Sequence, residues 1–158
     1  MTWGSGYALG PQDALEDLDM TGGSVLSLKV TGQQSNGMVT ILQGVVLSGG
    51  PPLHVHEAED EVVICLEGEL AYQVGDERGA LEPGGLLWFP RRTPHAVANL
   101  SDAPVRFVTV VTPSGIEEFF RAQRDYLTEV SNGRPFDPVA FGSVPGHETR
   151  IVVGPPLS

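Results

Sequence analysis

The amino-acid sequence predicts an all-β domain, a barrel or sandwich of short strands followed by one C-terminal helix. Three observations predict it. Glycine (20 residues) and proline (13) are abundant and cut the apolar runs into short pieces, as many turns between strands require. Those pieces recur at regular intervals along most of the chain. Helical spacing of apolar residues begins only after residue 113. A length of 158 residues suits one domain with a substantial core.

Residues 1–23 carry glycines and an acidic patch from Asp13 to Asp19, and read as a loosely structured arm. The barrel is expected over 24–112. Residues 25–30 form its first strand, and after a Gly/Gln/Asn turn residues 38–47 form a long second one. Ser48-Gly49-Gly50-Pro51-Pro52 breaks it. Strands are then expected at 53–57, 61–66 and 69–74, with turns at Gly68 and at Gly75-Asp76-Glu77. Pro83-Gly84-Gly85 introduces 86–89, and strands at 96–100 and 105–111 complete the set.

The helix is expected over 114–130. Ser114 and Glu117 read as a capping box, the serine meeting first-turn amides and Glu117 reaching back. Ile116, Phe119, Phe120, Gln123 and Leu127 share one side, to pack on the sheet or cover a barrel mouth; Glu117, Glu118, Arg121, Arg124 and Asp125 lie mostly elsewhere. Residues 131–158 form a C-terminal extension. Its part over 132–147 is rich in Gly and Pro and should wrap the surface, and 150–153 should end the chain as a short strand or tail. Internal repeats are not visible.

Charge narrows the partners. Twenty acidic side chains against nine basic ones give a formal charge of −11, unsuited to nucleic acid or an anionic membrane. Cys65 is the single cysteine, so an intrachain disulfide is impossible, as suits a reducing cytosol. The sequence has no apolar run of about 18 residues and no N-terminal basic stretch leading into an apolar one. A cytoplasmic protein with a small-molecule substrate is expected. A homodimer is expected too, because open sheet edges invite pairing.

The chemistry lies in His54-Val55-His56. On a strand the two imidazoles point to the same side and converge; on a helix they would splay by about 200°. His95 offers a third imidazole and Glu61 a carboxylate, with Glu57, Glu59 and Asp60 as competitors. Strict alternation from His56 would favour position 58 or 60, so Glu61 requires an irregular turn between two strands. Imidazole and carboxylate donors without thiolate suit Mn, Fe, Co, Ni, Cu or Zn and disfavour a structural zinc site.

Residues 48–99 resemble the cupin superfamily. Its first motif, G-x5-H-x-H-x3,4-E-x6-G, is met by His54, His56, Glu61 and Gly68, and the spacing to Gly68 selects Glu61 over its competitors. The remaining acids then form a solvated rim. Gly84, Pro90, His95 and Asn99 meet the second motif, G-x5-P-x-G-x2-H-x3-N. Ser48 stands where the first motif opens on glycine, and Arg92 replaces the inner glycine of the second. A turn needing φ > 0 suits arginine poorly, so this one is expected to differ, with Pro94 holding Thr93 extended.

The resemblance implies a double-stranded β-helix (jelly-roll) barrel holding one divalent transition metal on His54, His56, Glu61 and His95. Fe(II) is favoured, with Mn, Ni, Co, Cu and Zn as alternatives. Likeness to quercetin dioxygenase-like cupins implies an oxygenase acting on a small aromatic or enol-containing, flavonol- or polyketide-like molecule. Glu61 would be both ligand and catalytic proton acceptor. The alternatives are a non-redox metal-dependent isomerase, cyclase, hydrolase or decarboxylase, and a non-catalytic binding protein, because this fold hosts many chemistries. Cys65 is expected in the core, Arg91 and Arg92 at an exposed turn and His147 on the surface. Tyr72, Gln73, Trp88 and Phe107 are candidates to line the barrel.

Overall fold

The computed structural model describes residues 5–131 and 137–158. Two antiparallel sheets face each other, in the jelly-roll arrangement expected. The first is six-stranded, in the order β1 (Glu16–Asp19), β2 (Val25–Val30), β3 (Thr40–Val46), β10 (Val105–Thr112), β5 (Asp60–Glu67), β8 (Leu86–Phe89). The second is five-stranded, in the order β11 (Arg150–Pro156), β4 (Pro52–His56), β9 (His95–Ala98), β6 (Leu70–Val74), β7 (Glu77–Leu81). Helix α1 (Gly32–Ser35) sits between β2 and β3, and α2 (Ile116–Glu129) and α3 (Pro138–Ser143) follow the barrel. Among the described residues no helix is long and apolar enough to cross a membrane.

Alternation builds the first sheet's inner face. Val105, Phe107, Thr109 and Val111 of β10 are buried, as are Thr40, Leu42, Gly44 and Val46 of β3, while their neighbours are more exposed. Across this face Leu28, Leu42, Thr109, Val63 and Leu87 stand in register as one row. The core at one end joins Val63, Cys65, Leu70, Phe89, Val105 and Phe107, so Cys65 packs as expected. At the other end α2 and α3 bury Ile116, Phe119, Leu127, Ala140 and Phe141 against the sheets.

Several expectations are corrected. The N-terminal arm is partly built in: β1 pairs with β2, and Leu18 and Met20 are buried. The turn at 75–77 is a tight hairpin whose return strand, β7, pairs Glu77 with Val74. The C-terminal extension does not merely wrap the surface. Residues 132–136 lie outside the described residues, but Ala140, Phe141 and Val144 are buried, and β11 is a full strand along β4. The apolar side chains of α3 have the sheets to pack against, which composition alone did not reveal.

Helix α2 begins one residue later than a serine cap would place it. Gly115 is the N-cap, and Ser114 makes no capping bond. Glu117 does reach back to Gly115 N (2.9 Å), but it is buried, not on the exposed side. Its carboxylate also accepts from Gly32 N (2.8 Å) and the Thr40 hydroxyl, tying α1, β3 and α2 together. Burial pushes its pKa up, yet these hydrogen bonds outweigh burial and leave it below the usual carboxylate value.

Candidate metal centre

Strand β4 supplies His54 and His56 on one face, both buried. It is held between β11 and β9, and His54 stands opposite His95 in the register. Gly50 is essential to this placement: a Cβ there would lie 2.0 Å from the Val97 carbonyl oxygen of β9. Glu61 comes from the opposite sheet. The chain breaks alternation at 57–59 between β4 and β5, the irregular turn expected, and Glu61 then faces inward near the histidines.

The ligating nitrogens of His54, His56 and His95 all lie within 4.8 Å of one another, a set that can hold a metal ion. Glu61 Oε2 is 3.3 Å from His95 Nε2 and 3.7 Å from His56 Nε2. Two of the three histidines are oriented by a hydrogen bond at their other ring nitrogen. His54 Nδ1 donates to the Pro52 carbonyl (2.7 Å) and His95 Nδ1 to the Thr93 carbonyl (2.9 Å). His56 Nδ1 faces Glu59 Oε2 at 3.3 Å, and neither atom has another partner. The imidazoles therefore converge through their Nε2 atoms. His54 Nε2 and His56 Nε2 are only 3.0 Å apart, and His95 Nε2 is buried without a hydrogen bond.

Lone pairs at that separation repel unless a cation lies between them. A proton on His54 is disfavoured: burial first, then the neighbouring His95 and His56, hold its pKa well below the usual value, with the Pro52 carbonyl opposing. For Glu61 burial raises the pKa, but His95 and His56 more than offset it, leaving the carboxyl below its ordinary value. Three imidazoles and a carboxylate are the donor chemistry of a divalent transition metal.

Glu59 and Arg150 complete the surroundings. Glu59 was expected on the solvated rim; instead its side chain is 5% exposed and pairs with Arg150, itself 7% exposed. Arg150 opens β11 directly opposite His56 in the register, so both side chains point to the same face. Its guanidinium also donates to the Gly146 carbonyl (2.8 Å) and lies 4.8 Å from the Phe119 ring centre. Glu59 thus touches His56 on one side and Arg150 on the other. An arginine opening an apolar C-terminal run was the only sequence signal for this pair. The other acids are rim residues as expected: Asp60 holds Arg91 through two guanidinium bonds, and Glu57 lies 3.3 Å from Arg92.

Motif residues acquire physical reasons. Gly68 has φ +79°, and a Cβ there would lie 2.6 Å from the Pro104 carbonyl oxygen. The Asn99 amide nitrogen lies 2.7–3.1 Å from the carbonyls of Val46, Leu47 and Ala103, fastening two loops. Arg92 does not alter its turn: it adopts φ +69° and donates its N–H to the His56 carbonyl (2.7 Å). His147 forms a 3-10 turn near the surface, away from the cluster.

From the histidines a cavity of about 100 Å³ runs toward α2 and α3. Phe89, Phe107, Phe119, Phe120 and Phe141 line it. Phe89 stacks on His95 (4.2 Å between ring centres) and Phe141 lies 4.5 Å from the His54 ring. Of the residues expected to line the barrel only Phe107 does so. Trp88 is exposed on edge strand β8, Tyr72 turns its hydroxyl to Glu77, and Gln73 bonds the Gly75 carbonyl.

Comparison with known proteins agrees with this geometry. The chain is 33% identical over 72 residues to quercetin 2,3-dioxygenase of Bacillus subtilis, covering 46% of this chain and 21% of that enzyme. It is 26% identical over 61 residues to an uncharacterised protein of Methanocaldococcus jannaschii, covering 39% of this chain and 49% of the relative. The chain therefore spans about half or less of the length of these relatives. A crystal structure of an RmlC-like cupin from Shewanella frigidimarina superposes with a TM-score of 0.60 at 18% identity, over 75% of this chain and 99% of the other, a likeness of fold. A family model of the cupin domain matches residues 41–111. That segment starts in β3, ends in β10 and carries all three histidines with Glu61, so it is the barrel part of this chain that matches the cupin domain.

Proposed function

We propose that His54, His56, His95 and Glu61 together hold one divalent transition metal, with Fe(II) favoured, and that the protein is an oxygenase of small aromatic or enol-containing molecules. The observation that carries this reading is the convergence of three imidazole Nε2 atoms and a carboxylate at one end of a phenylalanine-lined cavity. When bound, the metal supplies Lewis acidity and, as Fe(II), electrons for O₂. The chain's own residues do the rest. Glu61 carries the low pKa of a carboxylate that stays charged at neutral pH, and accepts the proton of an enol or phenol hydroxyl. The five phenylalanines exclude water and stack the ring of the substrate. The match to part of a quercetin dioxygenase supports oxygenation over the non-redox alternatives.

Elemental analysis of protein purified without added metal tests the first half. Near-stoichiometric metal is expected in the wild type and its loss in His54→Ala; equal metal in both would sink the assignment. Oxygen uptake with Fe(II)-loaded protein across flavonols and polyketide-type enols tests the second half. Turnover that persists without O₂ and with zinc in place of iron would instead establish the non-redox chemistry.

A further inference from the structure

Two polar side chains of the cavity wall are idle. Gln123 of α2 is 7% exposed and Thr109 of β10 is 3% exposed; both line the cavity. None of the side-chain hydrogen bonds among the described residues involves either of them. Their neighbours show how unusual this is. Asn99, equally buried on the same wall, engages both its amide nitrogen and its oxygen, and Glu117 on the same helix has three donors. Buried polar groups are normally paired, and one left open toward a cavity is a group waiting for a ligand.

Their positions define two different parts of the cavity. On β10, Thr109 stands opposite Val63, two residues along on the same face from Val111, the register partner of Glu61. Its hydroxyl is therefore beside the metal-binding end. Gln123 lies one helical turn beyond Phe119, which meets Phe141 edge-on at 5.0 Å, and Phe141 in turn touches His54. The aromatic stack separates Gln123 from the histidines. Among the described residues lining the cavity none is Lys or Arg, and Arg150 is already paired with Glu59.

We infer that Gln123 and Thr109 read the ligand, and that the cavity takes an uncharged, mostly apolar ring molecule bearing a second hydroxyl or carbonyl remote from the oxygen that meets the metal. A carboxamide both donates and accepts, so it suits a neutral hydroxyl or carbonyl. Among the described residues of the wall a remote carboxylate would find no unpaired cation. The inference rests on the proposal that the cavity is the substrate site, but not on oxygenation.

The test is calorimetric binding of naphthol, the naphthalenediols and hydroxynaphthoate to zinc-loaded protein, which cannot turn over O₂. At least one diol should bind wild type about tenfold more tightly than naphthol, one hydrogen bond's worth, and hydroxynaphthoate should bind more weakly than naphthol. In Gln123→Leu the advantage of the diol should fall to about twofold or less, with naphthol affinity and Tm equal or raised, because an unpaired amide has been replaced by an isostere. Thr109→Val should weaken the diol and naphthol alike. A diol advantage that survives Gln123→Leu, tighter binding of the carboxylate, or no binding of any naphthol to wild type would each overturn the inference. Selective binding without oxygen uptake by the iron form would leave it standing and remove only the oxygenase reading.

Discussion

Replacing Arg150 by methionine keeps the bulk of the side chain and removes its charge. The structure sets the size of the effect. Arg150 and Glu59 are both more than nine-tenths buried, so the substitution strands a carboxylate in the interior with no cation. Breaking one side of such a pair costs about 3–5 kcal/mol, and the contact over Phe119 adds to it. For a domain of this size each kcal/mol moves Tm by about 2–4 °C, so a fall of about 6–20 °C is expected in metal-free protein. Glu59 also holds His56, and disturbing a residue behind a ligand lowers metal affinity by about 10–100-fold. The double variant Glu59→Gln/Arg150→Met leaves no buried charge, so it should recover most of the stability but not the metal affinity. Thermal melts by circular dichroism and a Zn(II) competition titration measure the two effects separately. A loss below about 1 kcal/mol in Arg150→Met, or a double variant no more stable than the single one, would refute the reasoning.

Two further outcomes follow from local geometry. Arg92→Gly should stabilise the protein by about 0.5–1 kcal/mol, because glycine relieves the φ of +69° while the exposed contact with Glu57 is worth little; a chemical denaturation midpoint that falls would contradict this. Glu117→Gln should destabilise by about 1–3 kcal/mol at neutral pH, since the carboxylate ties three elements together. Its folded pKa lies below the unfolded value of 4.5, so this contribution is full above that value and is lost as pH falls through the folded one. Wild type should therefore lose stability over that acid window more steeply than the variant in pH-resolved melts.

Particular residues show how far a single sequence carries. The pairing of His54 with His56 was legible because strand alternation is local: two residues apart on β4 means one face. His95, Gly68 and Asn99 were legible through spacing, which encodes the lengths of the intervening strands and turns. Arg92 misled, since a propensity argument underestimates what neighbouring contacts can impose on one turn; its N–H is held by the His56 carbonyl. Glu59 and Glu117 misled for another reason. A carboxylate reads as surface until its donors are known, and these come from Arg150, Gly32 and Thr40, far away along the chain. Gln123 was placed correctly on the apolar side of its helix, but only the cavity in front of it showed that an amide there lacks a partner.

The sequence by itself determined the all-β class, the strand carrying the histidine pair and the helix after the barrel, because each follows from periodicity within short stretches; Glu61 and His95 stood out only through the motifs they resemble. Only the tertiary structure decided which ring nitrogens face one another, that Arg150 stands behind Glu59 and His56, and that, among the described residues, five phenylalanines and one idle amide shape the cavity. Those properties depend on residues brought together from distant strands, where burial and register, not neighbours in the chain, set the chemistry of each group.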